Sequence, residues 1–234
     1  MTESFNPNQN KSNQIADHSQ IEYRWDTGSE SSDMFANTAD TDHFKTIDVI
    51  SFIKQKCNEY TGNNPLELAV EIMNNPIIRM HGGEHHYLTP AVLLTVYNNL
   101  TNKFSNKLEK LDELEQFIAQ NAPKSCSLDT GTCGAAIGAG VFFANFMQDS
   151  FAPEVLERLS DNIRTESIRQ IDEIGLSRCC KRDTYISLEV TSKVLRDHLD
   201  LNIIMSDPKC TFSLRNKSCG LEDCPFYNLS NSIG

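Results

Sequence analysis

The chain is short of positive charge and of long apolar runs. It has 21 Lys and Arg against 32 Asp and Glu, a formal net charge of −11. A general nucleic-acid or anionic-membrane surface needs a cationic face, so both partners are disfavoured. A local basic patch around Arg178, Lys181 and Arg182 stays open. No uncharged apolar stretch approaches the ~20 residues that span a bilayer; the nearest, residues 135–147, is short and rich in Gly and Ala. The first residues lack the charged start, apolar run and small-residue cleavage site of a secretory signal. A cytoplasmic location with no membrane partner is the expectation, and there cysteines serve as thiols or metal ligands more often than as disulfides.

Strand-type alternation is missing too, and so is any internal repeat. Only 39% of the residues are hydrophobic, and much of the deficit falls at the front. Residues 1–45, rich in Asn, Ser, Thr, Asp and Gln, cannot bury enough apolar surface to offset their ordering entropy, and are expected to form a disordered acidic/polar tail. Tyr23, Trp25, Met34 and Phe35 would be its anchors if it docked a partner.

What is present past that tail is helical periodicity. Ile47, Ile50, Ile53 and Cys57 recur at helical spacing. Leu66, Ala69, Val70 and Met73 share a face after Pro65. Thr89-Pro90 reads as a helix start, leading through Val92, Leu93, Val96, Tyr97 and Leu100. Residues 106–120 place Leu108, Leu111, Leu114, Phe117 and Ile118 inward. A Gly/Ala/Phe helix covers 135–147, and an amphipathic one 153–174, stopped by Gly175. A last helix spans about 184–199. The expected fold is all-α: a helical domain over 46–207 with a small cysteine-rich metal knuckle, 208–234, packed on it.

Seven of the eight cysteines lie between residues 126 and 224. The final three form Cys210-x8-Cys219-x4-Cys224-Pro225, with Asn216, Gly220 and Pro225 as turn formers. Thiolates suit soft metals, and three on a short turn-rich segment point to a metal site; the spacing is neither a paired C-x2-C ribbon nor the standard ferredoxin run, and reduced, partly buried thiols are the plain alternative. Cys179 and Cys180 sit at a helix start, where free N–H groups and neighbouring Arg178, Lys181 and Arg182 favour thiolate. Adjacent side chains diverge, so one would complete the tail's site while the other faces elsewhere; one buried cysteine and a bystander is the competing reading. Cys126 and Cys133 precede Gly134 and Gly138, where small residues allow either a cofactor or a neighbouring helix to come close. His81, Glu84, His85 and His86 form a glycine-interrupted loop. It is not H-E-x-x-H, and Gly82-Gly83 weakens a helical zinc site. His81 is a candidate ligand, and Glu84, His85 and His86 are candidate acid/base groups.

The ordered blocks His81-Gly-Gly-Glu-His-His, Cys133-Gly-Ala-Ala-Ile-Gly-Ala-Gly, Cys179-Cys-Lys-Arg-Asp-Thr-Tyr and Cys210…Cys219…Cys224-Pro-Phe resemble an uncharacterised domain-of-unknown-function family of archaea and anaerobic bacteria, across about residues 65–227. Its members occur alone or joined to methyltransferase-like domains. In that family the first block more often reads His-Gly-Pro-Glu-His-His; Gly83 replaces the proline here and loosens the loop. The resemblance implies an anaerobic cytoplasmic setting, with a methyltransferase-like enzyme or a small-molecule substrate as partner. The Cys126–Cys133 block is also similar to the cysteine-plus-small-helix pattern of iron–sulfur serine dehydratases. The leading expectation is an iron–sulfur cluster, with zinc as the alternative, on cysteines converging from all three groups, in a lyase or a group-transfer accessory. A non-catalytic adaptor with structural zinc, and a thiol redox or metal-delivery protein using Cys179 and Cys180, are the rivals.

Overall fold

Asp48 opens the first helix: its carboxylate accepts the Ile50 amide at 3.3 Å, and α1 (Val49–Glu59) buries Ile53 and Cys57. Asn64 caps α2 (Pro65–Asn74) in the same way, its side-chain oxygen taking the amides of Leu66 and Glu67. Pro65 stands at the first helical position, where no amide is needed. The computed structural model describes residues 48–121 and 133–228; the tail expected at 1–45 and Cys126 fall outside them. Next come α3 (Glu84–Thr101), α4 (Lys107–Asn121), α5 (Gly134–Phe146), α6 (Pro153–Glu173) and α7 (Cys180–Leu199). Two single 3₁₀ turns follow, Ser213–Arg215 and Leu221–Asp223. Every regular element among the described residues is helical, so the fold is all-α. Among them, no helix is long and apolar enough to cross a membrane.

The centre of the fold is α3, against which α1, α2, α4, α5 and α7 pack. Each residue from Glu84 to Asn98 is buried, as befits a helix surrounded on all sides. It begins five residues before the expected Thr89 start, so Glu84, His85 and His86 are helical and buried, not part of a loop. The Thr89 hydroxyl donates back to the His85 carbonyl at 3.2 Å. Pro90, inside the helix, has no N–H for the His86 carbonyl. That carbonyl faces Gly138 of α5, where a Cβ would lie 2.6 Å from it. Absence of a side chain at 138 therefore lets α5 close on the gap Pro90 leaves.

Sandwiched between α3, α6 and α7, α5 is apolar all round. Phe142 and Phe146 of α5 meet Tyr97 and Phe104 edge to face. A stripe of Leu159, Ile163 and Ile171 on α6 faces the core, and its outer side carries the exposed pair of Arg169 with Glu166, which contributes little to stability. Gly175, at φ +65°, follows the end of α6. On α4 the buried stripe is Leu111, Leu114 and Ile118. Leu108, expected inside, is exposed; at about 100° per residue it projects roughly 120° away from Leu114. The last helix starts at Cys180, four residues earlier than expected.

Asp200, left-handed at φ 51°, ends α7, and the chain turns back along the N-terminal helices. The Ile204 amide donates to the Asn63 carbonyl (3.1 Å), Asn63 Nδ2 to the Asn202 carbonyl (2.7 Å) and Thr211 Oγ1 to Asn74 Oδ1 (2.7 Å). The Cys210 amide donates to the Phe226 carbonyl at 2.7 Å. These bonds pin the final segment beside both ends of α2 and fold it on itself.

Candidate metal centre

That folding brings four cysteines to one pocket. Cys179 arrives from the start of α7, and Cys210, Cys219 and Cys224 from the tail; Tyr185, Phe212 and Phe226 form an aromatic wall. Its free volume is about 20 Å³. Phe226 meets the Tyr185 ring edge-on at 5.2 Å between centroids, which fixes the tail against α7. Gly220 sits directly on Leu176, whose Cδ1 would be 2.5 Å from an added Cβ. The next residue, Leu221, takes φ 49°, an uncommon conformation for a branched side chain.

That turn has a use: it aims an amide at sulfur. The Leu221 N–H donates to Cys219 Sγ at 3.4 Å and the Phe212 N–H to Cys210 Sγ at 3.3 Å. The Phe226 amide favours the Cys224 thiolate. The Arg182 amide does the same for Cys179, without completing a capping bond. Each of the four sulfurs therefore faces a backbone donor, the arrangement that stabilises negative charge on sulfur. Burial works in the opposite direction. It pushes the Cys179 thiol up to about 11 and raises Cys210 and Cys224; the sulfurs also disfavour one another's ionisation. Bare, Cys179, Cys210 and Cys224 favour the protonated form, and a bound cation would supply the missing positive charge. Among the described residues, no three His, Cys, Asp or Glu side chains are already drawn in to metal-holding distance.

The other candidate ligands lie elsewhere. Cys133 points at Asp183, its thiol 3.8 Å from Oδ2, and Cys180 lies 3.6 Å from Arg178 Nη2; neither lines the pocket, and neither does His81. A single centre joining all three cysteine groups is therefore not what the described residues form. The two neighbours at the start of α7 diverge, Cys179 to the pocket and Cys180 away from it. Gly134 and Gly138, read as cofactor contacts, have their space filled by protein. A Cβ on Gly134 would lie 1.7 Å from His86 Cδ2, and one on Gly138 would strike the His86 carbonyl and Pro90.

The histidine segment forms a separate buried group. Arg79 holds Glu84 three times, Nη2 to Oε2 at 2.7 Å, Nε to Oε1 at 3.2 Å and its backbone N–H to Oε1 at 2.9 Å. His85 Nδ1 is 3.1 Å from the Gly82 carbonyl. A carbonyl only accepts, so Nδ1 carries the hydrogen and Nε2 is left as a buried acceptor with no hydrogen bond. Burial, then the charge of Lys181, drives His85 down to about 3; burial, then Arg178, takes His86 down to about 4. Both imidazoles are neutral.

Sequence reading missed what supports the centre. Lys181 and Arg182 appeared there as a basic patch, yet both are buried. Arg182 lines the pocket; its Nε donates to Asp183 Oδ1 at 3.0 Å and its Nη1 to the Ser177 carbonyl at 3.2 Å. Burial raises Asp183 to about 6 against the pull of Arg182. The aromatic wall had one visible sign, Phe226 two residues after the last cysteine.

Gly134→Ala is expected to cost about 3 kcal/mol, because the ring it strikes is itself buried. The melting temperature would drop by roughly 6–12 °C. Thermal melts of Gly134→Ala, His86→Ala and the pair check this: the pair should lose clearly less than the two single losses added together.

Comparison with curated proteins finds no match, and comparison with solved structures finds none. A family model does match, and over residues 53–227 the chain belongs to the family described as a family of unknown function, DUF5714.

Proposed function

We propose that this chain is a metal-binding protein whose centre is an iron–sulfur cluster held by Cys179, Cys210, Cys219 and Cys224. The observation that carries the reading is the convergence of four thiols on one pocket, each sulfur facing a backbone N–H. Packing alone gives no reason to aim an amide at every one. A tetrahedral zinc ion, with Zn–S near 2.3 Å, would hold its sulfurs about 4 Å apart. The anaerobic setting that the sequence resemblance implies favours a cluster over that ion.

Four protein sulfurs fill every ligand position. A centre of this kind supports structure or electron transfer, whereas Lewis-acid catalysis needs an open position. The reading is therefore an accessory role more than a lyase. The neutral, enclosed His85 and His86 do not line this pocket, so acid/base work by them at the centre has no geometric support. Cys179, with its thiol pushed up to about 11, lacks the activation that a redox thiol needs. A reducing, anaerobic cytoplasm suits four free thiols. A methyltransferase-like enzyme is the partner that the sequence resemblance favours.

Zinc is the second reading, favoured by the 20 Å³ volume, which is room for a single small occupant. Metal and acid-labile sulfide analysis of anaerobically purified protein, with an absorption spectrum, separates the two. Iron with matching sulfide and broad visible absorbance that bleaches on reduction is the expected result. Colourless protein with one zinc per chain would establish the second reading. Neither metal, in the fresh or the reconstituted protein, would end the proposal.

A further inference from the structure

We propose that Lys181 is the built-in counter-ion of the thiolate centre, a positioning charge that lets the loaded centre keep net negative charge inside the protein. This rests on the metal-centre reading and deepens it, because it specifies the sign of the occupied centre and the residue that answers it.

Lys181 is fully buried. Its ammonium makes one hydrogen bond, to the Ile78 carbonyl at 3.4 Å, and stands 5.0 Å from the centroid of the Phe212 ring. Among the described residues no carboxylate pairs with it at contact distance; the buried Asp183 pairs with Arg182 and the buried Glu84 with Arg79. The charged or titratable groups that face it are Glu84, Arg215, Cys180, Cys179 and His85. An ammonium has three donors, and two are idle here. A buried cation left in this way is costly unless negative charge lies close by.

The thiolate centre would supply that charge. Four thiolates around a divalent ion, or around a doubly positive cluster core, carry two net negative charges. Phe212 links the two parts physically: its ring carries the ammonium on one side of the connection, its amide bonds Cys210 Sγ, and it lines the pocket. Arg182 does not compete for the role, since Asp183 already answers its charge. Lys181 is thus the buried cation whose partner is the occupant of the pocket.

The test compares wild type, Lys181→Met and Lys181→Arg, each with and without metal. In the loaded protein, Lys181→Met is expected to surrender metal to a chelator about tenfold more readily, and Lys181→Arg to retain it. With an iron–sulfur cluster, loss of the cation also disfavours the extra electron; a tenfold effect is a midpoint shift of 59 mV downward in a one-electron reductive titration with dithionite. In the metal-stripped protein the sign reverses: Lys181→Met should melt above stripped wild type, having lost an uncompensated buried charge. A merely structural lysine would destabilise both forms on removal. Lys181→Gln repeats the comparison where Met fails to fold. Equal metal retention in wild type and Lys181→Met, or a lower melt in the stripped variant, overturns the role of Lys181 while the centre stands. A wild type that binds no metal overturns the centre itself, and this role with it.

Discussion

Cys210→Ser is expected to abolish metal binding and release the tail, whereas Cys133→Ser and Cys180→Ser should leave both intact. The asymmetry follows from where the sulfurs point. Cys210 lines the shared pocket, accepts the Phe212 amide, and its own amide holds the Phe226 carbonyl. Removing one thiolate of four takes away a ligand and leaves Cys179 and Cys224, whose ionisation burial disfavours, with fewer sulfurs to hold a cation. Metal affinity should fall at least about a hundredfold, since even outer-shell losses at metal sites reach that size. Most of the tail's order should go with it, because metal binding and folding of a short ligand-bearing segment are one free energy. Cys179→Ser, Cys219→Ser and Cys224→Ser should behave alike. Cys133 and Cys180, by contrast, contact Asp183 and Arg178. Metal per chain, followed by limited proteolysis across residues 208–228, reads both effects. Equal metal loss from all six variants would show that the four-sulfur set is wrong.

The helices were legible because their signals are local. Pro65 and the periodic stripes of α1, α2 and α6 depend on nearest neighbours along the chain, and the fold uses them as written. The start of α3 was not legible. Thr89-Pro90 has the chemistry of a first turn, but the five residues before it are held helical by burial and by Arg79 gripping Glu84, contacts invisible in a window of sequence. The candidate site divides in the same way. The three tail cysteines announce themselves by spacing and turn residues. The fourth, Cys179, is 31 positions before Cys210, and only the return of the chain along α2 makes them neighbours. The glycines left two readings open for a related reason: a small residue records that something comes close without saying what, and at Gly134 and Gly138 it is His86 and Pro90. Lys181 and Arg182 read as surface charge because lysine and arginine seldom go inside without a partner.

Acid should cost the chain stability before its exposed carboxylates titrate. His85 and His86 are held neutral, at about 3 and about 4, against roughly 6.5 in an unfolded chain. A depressed folded pKa gives stability that is fully present above the unfolded value and lost as pH falls toward the folded one. Between about pH 6.5 and 4 the unfolded chain gains two protons that the folded chain refuses, a loss of roughly 7 kcal/mol. Asp183 opposes this. Its carboxyl, raised to about 6, takes a proton in the folded state before the unfolded state does, and returns roughly 3 kcal/mol over the lower part of the same range. Glu84, lowered by Arg79 and His85 against its own burial, adds a further loss only near the bottom. The net, about 4 kcal/mol by pH 4, approaches the whole stability of a marginal domain. Helicity followed by circular dichroism through an acid titration of metal-stripped protein, where thiolate protonation plays no part, should show cooperative loss centred near pH 4. His86→Gln cannot take up that proton in either state, so its stability should fall with pH at a visibly shallower slope. Superimposable slopes for the two proteins would mean that His86 is already protonated, or solvated, in the native fold.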